Sequence, residues 1–275
     1  MRFAFSANAF QEYDPVETVE ILADVGYDGV ELLFGASHLH PADTDEDDVA
    51  AVENALDDAG LEISNCNAFM VTAEDFQHPS YVETDPGYRQ QRLDYTRECL
   101  RLADAFGADS ISVQPGGPIP EGKSREWAME TFAEGMRSIA QTAEDLDVDL
   151  LIEPEPDLLI ETTDQYLDID GRIDSGAVGC NFDAGHLFCV GEDPAEAVGR
   201  LADHTPHYHL EDIPADRTHE HTQLGDGAMD IDGFLEAVEA TGYEGFVTVE
   251  LYPYQETAEE TAREACEYLE EHGWA

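Results

Sequence analysis

Leu150-Leu151-Ile152-Glu153-Pro154-Glu155 is an apolar run that stops at a carboxylate, and the next three β-prone runs also end in metal-ligand side chains. They read Asn181-Phe182-Asp183-Ala184-Gly185-His186, His207-Tyr208-His209-Leu210-Glu211-Asp212 and Val247-Thr248-Val249-Glu250-Leu251-Tyr252. Outward from these, strands are expected at Phe3–Ser6, Gly29–Leu33, Leu61–Asn65, Ser110–Val113, Asp149–Glu153, Ala177–Phe182, His207–Leu210 and Phe246–Leu251. Helical spacing fills the intervals near 15–25, 46–59, 88–106, 125–146, 162–170, 194–202, 231–241 and 256–271. Asp14-Pro15 and Asp193-Pro194 each pair an acidic cap with a proline at the first helical position, and Gly26, Gly60, Gly107 and Gly242 stand where helices end left-handed. Alternating strands and helices build a parallel sheet, either open and doubly wound or closed. The open form wants a glycine-rich phosphate loop after the first strand, where Ser6-Ala7-Asn8-Ala9-Phe10 stands instead. The expectation is an α/β fold, a (β/α)8 TIM barrel forming a single domain over residues 1–275.

Composition narrows the function. Against 63 acidic residues stand 12 basic ones, a formal charge of −51, and Lys123 is the one lysine. Such a surface repels nucleic acid and anionic membranes. The acids are spread over segments with helical spacing, such as 43–59 and 256–271, as in a folded protein adapted to concentrated salt, so the charge says more about habitat than about substrate. Five cysteines without a CxxC pair suggest neither a disulfide framework nor a zinc knuckle, and fit a reducing cytoplasm. No apolar run is long enough to span a membrane and no export signal is visible, so a cytoplasmic protein is expected.

In a parallel barrel the C-terminal strand ends converge on one mouth. Glu153, Asp183, His209 and Glu250 would meet there, and three carboxylates with an imidazole repel one another unless a cation sits among them. One divalent ion is expected, Mn²⁺, Mg²⁺, Co²⁺ or Zn²⁺. His207 alternates with His209 and is expected to be packed, pointing away from the mouth. The loops at 67–87 and 114–118 are candidate substrate walls, with Phe10, Phe34, Phe69, Tyr252 and Tyr254 as candidate aromatic lining. Asn8, Glu31, His38 and His40 also fall near strand ends, as weaker signals.

The strings IEPEPDLLIET, NFDAGH, YHLED, HEHTQLGDG and VTVELYP resemble the sugar phosphate isomerase/epimerase superfamily, the xylose isomerase-like barrels that also include tagatose/psicose 3-epimerases, inosose dehydratases and endonuclease-IV-type apurinic endonucleases. The resemblance covers Leu150 to Tyr254 clearly, and the first half only in its rhythm. It implies that Glu153, Asp183, His209 and Glu250 ligate the ion and that Glu153 and Glu250 form an acid/base pair. One takes a proton beside a carbonyl and the other returns it, while the ion stabilises the enediolate. His186 resembles a position that contacts substrate oxygens or a second metal. Where the epimerases grip substrate with an arginine, this chain has His221, with Arg217 near enough in sequence to substitute. Glu155 and Gln114 complete the expected substrate-binding set.

The function so implied is isomerisation or epimerisation of a small polyol, keto-sugar or sugar phosphate, by an enzyme that binds neither nucleic acid nor membrane. The absence of a Lys/Arg cluster favours an unphosphorylated ligand. An inosose-dehydratase-like lyase is the alternative on the same scaffold, and a homo-oligomer is compatible with either. An apurinic endonuclease is a third reading, favoured by the resemblance of His186, His219 and His221 to trinuclear zinc ligands. It is weakened by Asn65-Cys66-Asn67 and Gln114, where such enzymes place histidines, and by the scarcity of basic residues.

Overall fold

The computed structural model describes residues 1–69 and 75–275, so residues 70–74 of the expected 67–87 wall lie outside the described residues. Eight parallel strands close in sequence order: β1 (Arg2–Ser6), β2 (Gly29–Leu33), β3 (Glu62–Asn67), β4 (Ser110–Val113), β5 (Asp149–Ile152), β6 (Val178–Asp183), β7 (His207–Leu210) and β8 (Phe246–Val249). Closure is made by β1 on β8, with Phe3 opposite Val247 and Phe5 opposite Val249. The surrounding helices are α1 (Pro15–Val25), α2 (Glu46–Ala59), α3 (Pro86–Phe106), α4 (Arg125–Leu146), α5 (Thr163–Ile173), α6 (Ala184–Cys189), α7 (Pro194–Leu201), α8 (Ile231–Ala240) and α9 (Ala258–His272). The expected (β/α)8 barrel is the observed fold.

The helices start and stop where their termini are satisfied. The Asp14 and Asp193 side chains accept backbone N–H groups of the first turns of α1 and α7, each with proline inside the start. Gly26, Gly60 and Gly107 adopt φ values of 117°, 72° and 66° at the ends of α1, α2 and α3. Apolar helix faces pack on the outside of the sheet, where Val19, Leu22, Leu100, Phe132, Ile139, Tyr166 and Leu235 are buried. Four of the five cysteines are buried, and all are free thiols.

Inside the barrel the filling is polar. Ser110 donates to Asn65, Asn65 donates to Glu31, and Glu31 also accepts from Ser6. On the other side His207 bridges Asn181 and Thr248, and Thr248 meets Ser64. Every member of these chains has a partner, which is the condition for burying polar groups beneath a site without a large desolvation cost. His207 is packed, as expected, but its direction corrects the sequence reading. A strand repeats every two residues, so His207 and His209 face the same way, into the barrel, with ring centroids 5.1 Å apart.

Candidate active site

The four expected ligand residues come from four adjacent strand ends. Asp183 is the last residue of β6, His209 lies within β7, and Glu153 and Glu250 follow β5 and β8 directly. His209 Nδ1 is 3.4 Å from Glu153 Oε1, 3.8 Å from Asp183 Oδ2 and 3.7 Å from Glu250 Oε2. All four donor atoms lie within 4.8 Å of one another, and all four residues are buried. Asp183 Oδ2 is buried without a hydrogen-bond partner. Ligand atoms spaced in this way suit a cation about 2 Å from each, so an ion of the expected class fits the residues present.

The surroundings aim these atoms. Asn181 donates to Glu153 Oε2 at 2.5 Å and Asn8 to Glu250 Oε1 at 2.7 Å, which turns the second oxygen of each carboxylate toward the centre. Asp183 Oδ1 accepts the backbone N–H of His186 at 2.6 Å, so the candidate ligand that ends β6 also caps α6. Glu31 accepts from His209 Nε2 at 2.8 Å, leaving Nδ1 to face the carboxylates.

Charge follows from this packing. Burial raises the Glu250 carboxyl well above its ordinary range, with Glu153, Asp183 and Glu31 adding to the rise against His209. Glu153 is raised chiefly by burial, and Glu155 well above its ordinary range by burial, then Glu153 and Asp183. Burial opposes ionisation of Glu31 as well, but His209, His207 and the Ser6 hydroxyl outweigh it and bring this carboxyl down to about 2. Burial likewise opposes charge on His209, yet Glu31, Glu153 and Glu250 raise it well above the ordinary imidazole range.

Above the donor atoms opens a cavity of about 320 Å³ lined by Glu153, Glu250, Glu155, His186, His219, Asn8, Gln11, Asn67 and Gln77, with Phe69, Phe76 and Tyr252 as apolar walls. That volume is in the range of small-molecule sites. No lysine or arginine lines it among the described residues. A larger concavity of about 520 Å³ lies at the opposite end of the barrel, at the strand starts Asp149 and Val178, and among the described residues no converging donor set lines it.

The remaining expected residues divide. His186 and Glu155 face the cavity, and Glu155 Oε2 has no partner. His221 lies buried behind it, its Nδ1 2.8 Å from the Glu250 carbonyl. Gln114 is turned to the wall, donating to the Phe76 carbonyl at 2.8 Å. Arg217 is not brought to the cavity: its backbone has φ 64°, and the guanidinium lies over the Phe188 ring and donates to the Phe188 carbonyl. His38 holds the Phe10 carbonyl at 2.8 Å, away from the lining. Asn181, Asn67 and Glu211 were not singled out from sequence for any role. Asn181 lies two residues before Asp183, on the same face of β6, and that spacing was the available signal.

The loop after β7 is built on Asp212, whose carboxylate accepts the backbone N–H groups of Gly225, Gly227 and Met229. A side chain at Gly227 would lie 2.2 Å from Asp212 Oδ1, so the turn requires glycine there. The bridge between Asp212 and Thr222 then carries His219 and His221 in beside His186.

Residues 19–272 match a family model described as the xylose isomerase-like TIM barrel. An inosose dehydratase from Clostridium beijerinckii is 27% identical over 227 residues, covering 74% of this chain and 73% of that protein. Among solved structures, a D-tagatose 3-epimerase-like protein superposes with TM-score 0.80 at 22% identity, covering 99% of both chains. The IolI protein with a bound zinc atom gives TM-score 0.79 at 19% identity, over 98% of this chain and 97% of that one. These structural likenesses are of fold.

Proposed function

The chain belongs to the xylose isomerase-like TIM-barrel family, and from that premise we propose a divalent-metal-dependent enzyme that removes a proton beside the carbonyl of a small, uncharged keto-polyol. The observation that carries this reading is the pair Glu153 and Glu250, each with one oxygen tied to an amide and the other free at the base of the cavity. Glu153, Asp183, His209 and Glu250 would hold the ion. When bound, a divalent ion there supplies positive charge beside the substrate oxygens on which negative charge develops.

Within this reading, the curated relatives favour dehydration of an inosose-type substrate. One member of the Glu153/Glu250 pair takes the proton from the carbon next to the ketone. The electron pair of that C–H bond forms a C=C bond, and the hydroxyl on the next carbon leaves as water. The departing hydroxyl needs a proton, and Glu155, a cavity-lining carboxyl that burial pushes toward its protonated form, would give it. Epimerisation, the first expectation from sequence, is the second reading. It uses the same proton abstraction, with the other glutamate returning the proton, and the likeness to epimerase structures is what favours it. The cavity lining favours neutral substrates over phosphorylated ones, because no lysine or arginine among the described residues lines it to meet an anion.

The test is metal-loaded protein in D₂O with scyllo-inosose and a panel of ketoses, followed by proton NMR. Exchange at the carbon beside the carbonyl is expected in wild type, with loss of water or inversion identifying the reaction. Glu250→Gln is expected to lower turnover by about 10²–10⁴-fold while the fold is kept. Wild-type turnover in Glu250→Gln would remove the role assigned to that residue.

A further inference from the structure

With no lysine or arginine lining the cavity among the described residues, a guanidinium grip on ligand hydroxyls is not at hand there. Four amide side chains line it, those of Asn8, Gln11, Asn67 and Gln77, and three are engaged within the chain. Gln11 donates to the Asn8 carbonyl and accepts from the Ser37 hydroxyl. Asn8 donates to Glu250, and Asn67 lies between Glu250 and the Phe69 N–H. The Gln77 amide has no partner among the described residues. It offers two donors and an acceptor side by side.

That free side chain stands on a firmly held backbone. The Gln77 N–H donates to Asp75 Oδ1 at 2.8 Å, and the Gln77 carbonyl accepts from Gln114 Nε2 at 3.4 Å. Arg92 donates to the Phe76 carbonyl at 2.8 Å and to the Pro79 carbonyl at 2.7 Å, one on either side. Arg92 is fully buried, and its guanidinium bonds to backbone carbonyls and to no carboxylate among the described residues. A cation is costly to bury, and two of the bonds that offset the cost bracket Gln77. A Cβ on Gly117 would stand 2.7 Å from the Ser80 Cβ, so the loop after β4 packs directly against this segment. A wall held at so many points presents one amide that the chain itself does not use.

We propose that Gln77 is a specificity-determining residue whose amide takes two adjacent hydroxyls of the substrate, donating to one and accepting from the other. The substrate class is then a keto-polyol with a vicinal diol outside the reacting carbons, because Gln77 belongs to the wall after β3 whereas the proton-transfer pair follows β5 and β8. This rests on the reading of the cavity as a keto-polyol site. A neutral amide suits hydroxyls, where a phosphate would call for a guanidinium or an ammonium.

The experiment compares steady-state kinetics of metal-loaded wild type, Gln77→Ala and Gln77→Leu on the keto-polyol that wild type turns over best and on its monodeoxy analogues. Both variants should raise KM by about 10–100-fold, with kcat within about threefold of wild type. Removing a hydroxyl that Gln77 takes should raise the wild-type KM similarly and should have no further effect in Gln77→Ala. Neither substitution removes a side-chain bond within the chain, and Gln77→Leu keeps the bulk, so a KM change with an unaltered circular dichroism spectrum reports the lost grip. A KM within about twofold of wild type overturns the proposal, as do losses from variant and deoxy analogue that simply multiply. If wild type turns over no keto-polyol, the functional reading fails and calorimetry with myo-inositol decides the role of Gln77. Binding in wild type that weakens in Gln77→Ala supports the polyol grip, and equal or absent binding removes it.

Discussion

Glu31 has one oxygen on His209 Nε2 and its other on the Ser6 hydroxyl, with Asn65 donating from the side. It therefore fixes which imidazole nitrogen faces the carboxylates, and Glu31→Gln should weaken divalent-ion binding at the proposed site by about 10–100-fold while the fold survives. Calorimetric Co²⁺ affinities within twofold of wild type would remove this role. His207 offers a test by pH. Its ring is neutral in the fold, its pKa brought down to about 3 by burial and then by His209. In the unfolded chain an imidazole titrates near 6.5, so between those values the unfolded state binds the extra proton. The stability that His207 contributes is whole above pH 6.5 and is lost as pH falls, by about 1.4 kcal/mol per pH unit. Urea unfolding of wild type and His207→Asn between pH 6 and 4 should show the steeper loss in wild type, and parallel slopes would count against the neutral ring. That Glu153, Asp183, His209 and Glu250 come together at the barrel mouth was legible in the sequence because each stands within one residue of the end of a β-prone run. Glu31 and Asn181 carried little signal: their partners are at least 25 residues away and meet only when the barrel closes.

At the level of elements, the cavity wall hangs on α3 and β4. Arg92 of α3, fully buried, donates Nε to the Pro79 carbonyl, Nη1 to Phe69 and Nη2 to Phe76, and Gln114 after β4 adds a second bond to Phe76. Removing the guanidinium leaves the Pro79 and Phe69 carbonyls unmatched and Phe76 held by Gln114 alone, so Arg92→Met should cost about 2–4 kcal/mol of stability. It should raise KM more than it lowers kcat, because Phe69 and Phe76 form a wall of the cavity and carry no group that can move a proton. Wild-type KM and melting temperature in Arg92→Met would refute the clamp. Most helices announced themselves through aspartate–proline starts and glycine ends. The exceptions have physical causes. α5 runs on to Ile173 because Asp174, with φ 53°, takes the left-handed position usually given to glycine. α6 carried no sequence signal of its own because it is short and its cap, Asp183, is the last residue of β6. β3 extends to Asn67 because its register with β2 shifts between Val30 and Glu31, a bulge that no residue type advertised.

Across the whole molecule the charge is the dominant physical fact. Of the 12 basic residues, several are already engaged at the surface, as Arg2 with Glu62, Arg172 with Glu126 and Asp168, and Arg200 with Asp164. Most of the 63 acids therefore face one another across water, and at low salt their repulsion opposes the compact state. The Debye length falls from about 8 Å at physiological ionic strength to about 3 Å at 1 M, short enough to screen neighbouring helix faces. Screening also weakens the few exposed ion pairs, but each of these is worth at most about 1 kcal/mol, so the loss of repulsion should win. The melting temperature should accordingly rise as KCl is increased from 0.1 to 2 M. Sodium sulfate, which strengthens apolar burial in any protein, does not isolate this effect, so KCl is the appropriate salt. A flat or falling melting temperature over that range would mean that the surface charges are too well hydrated or too far apart to strain the fold, and the acidity would then need a cause other than adaptation to concentrated salt.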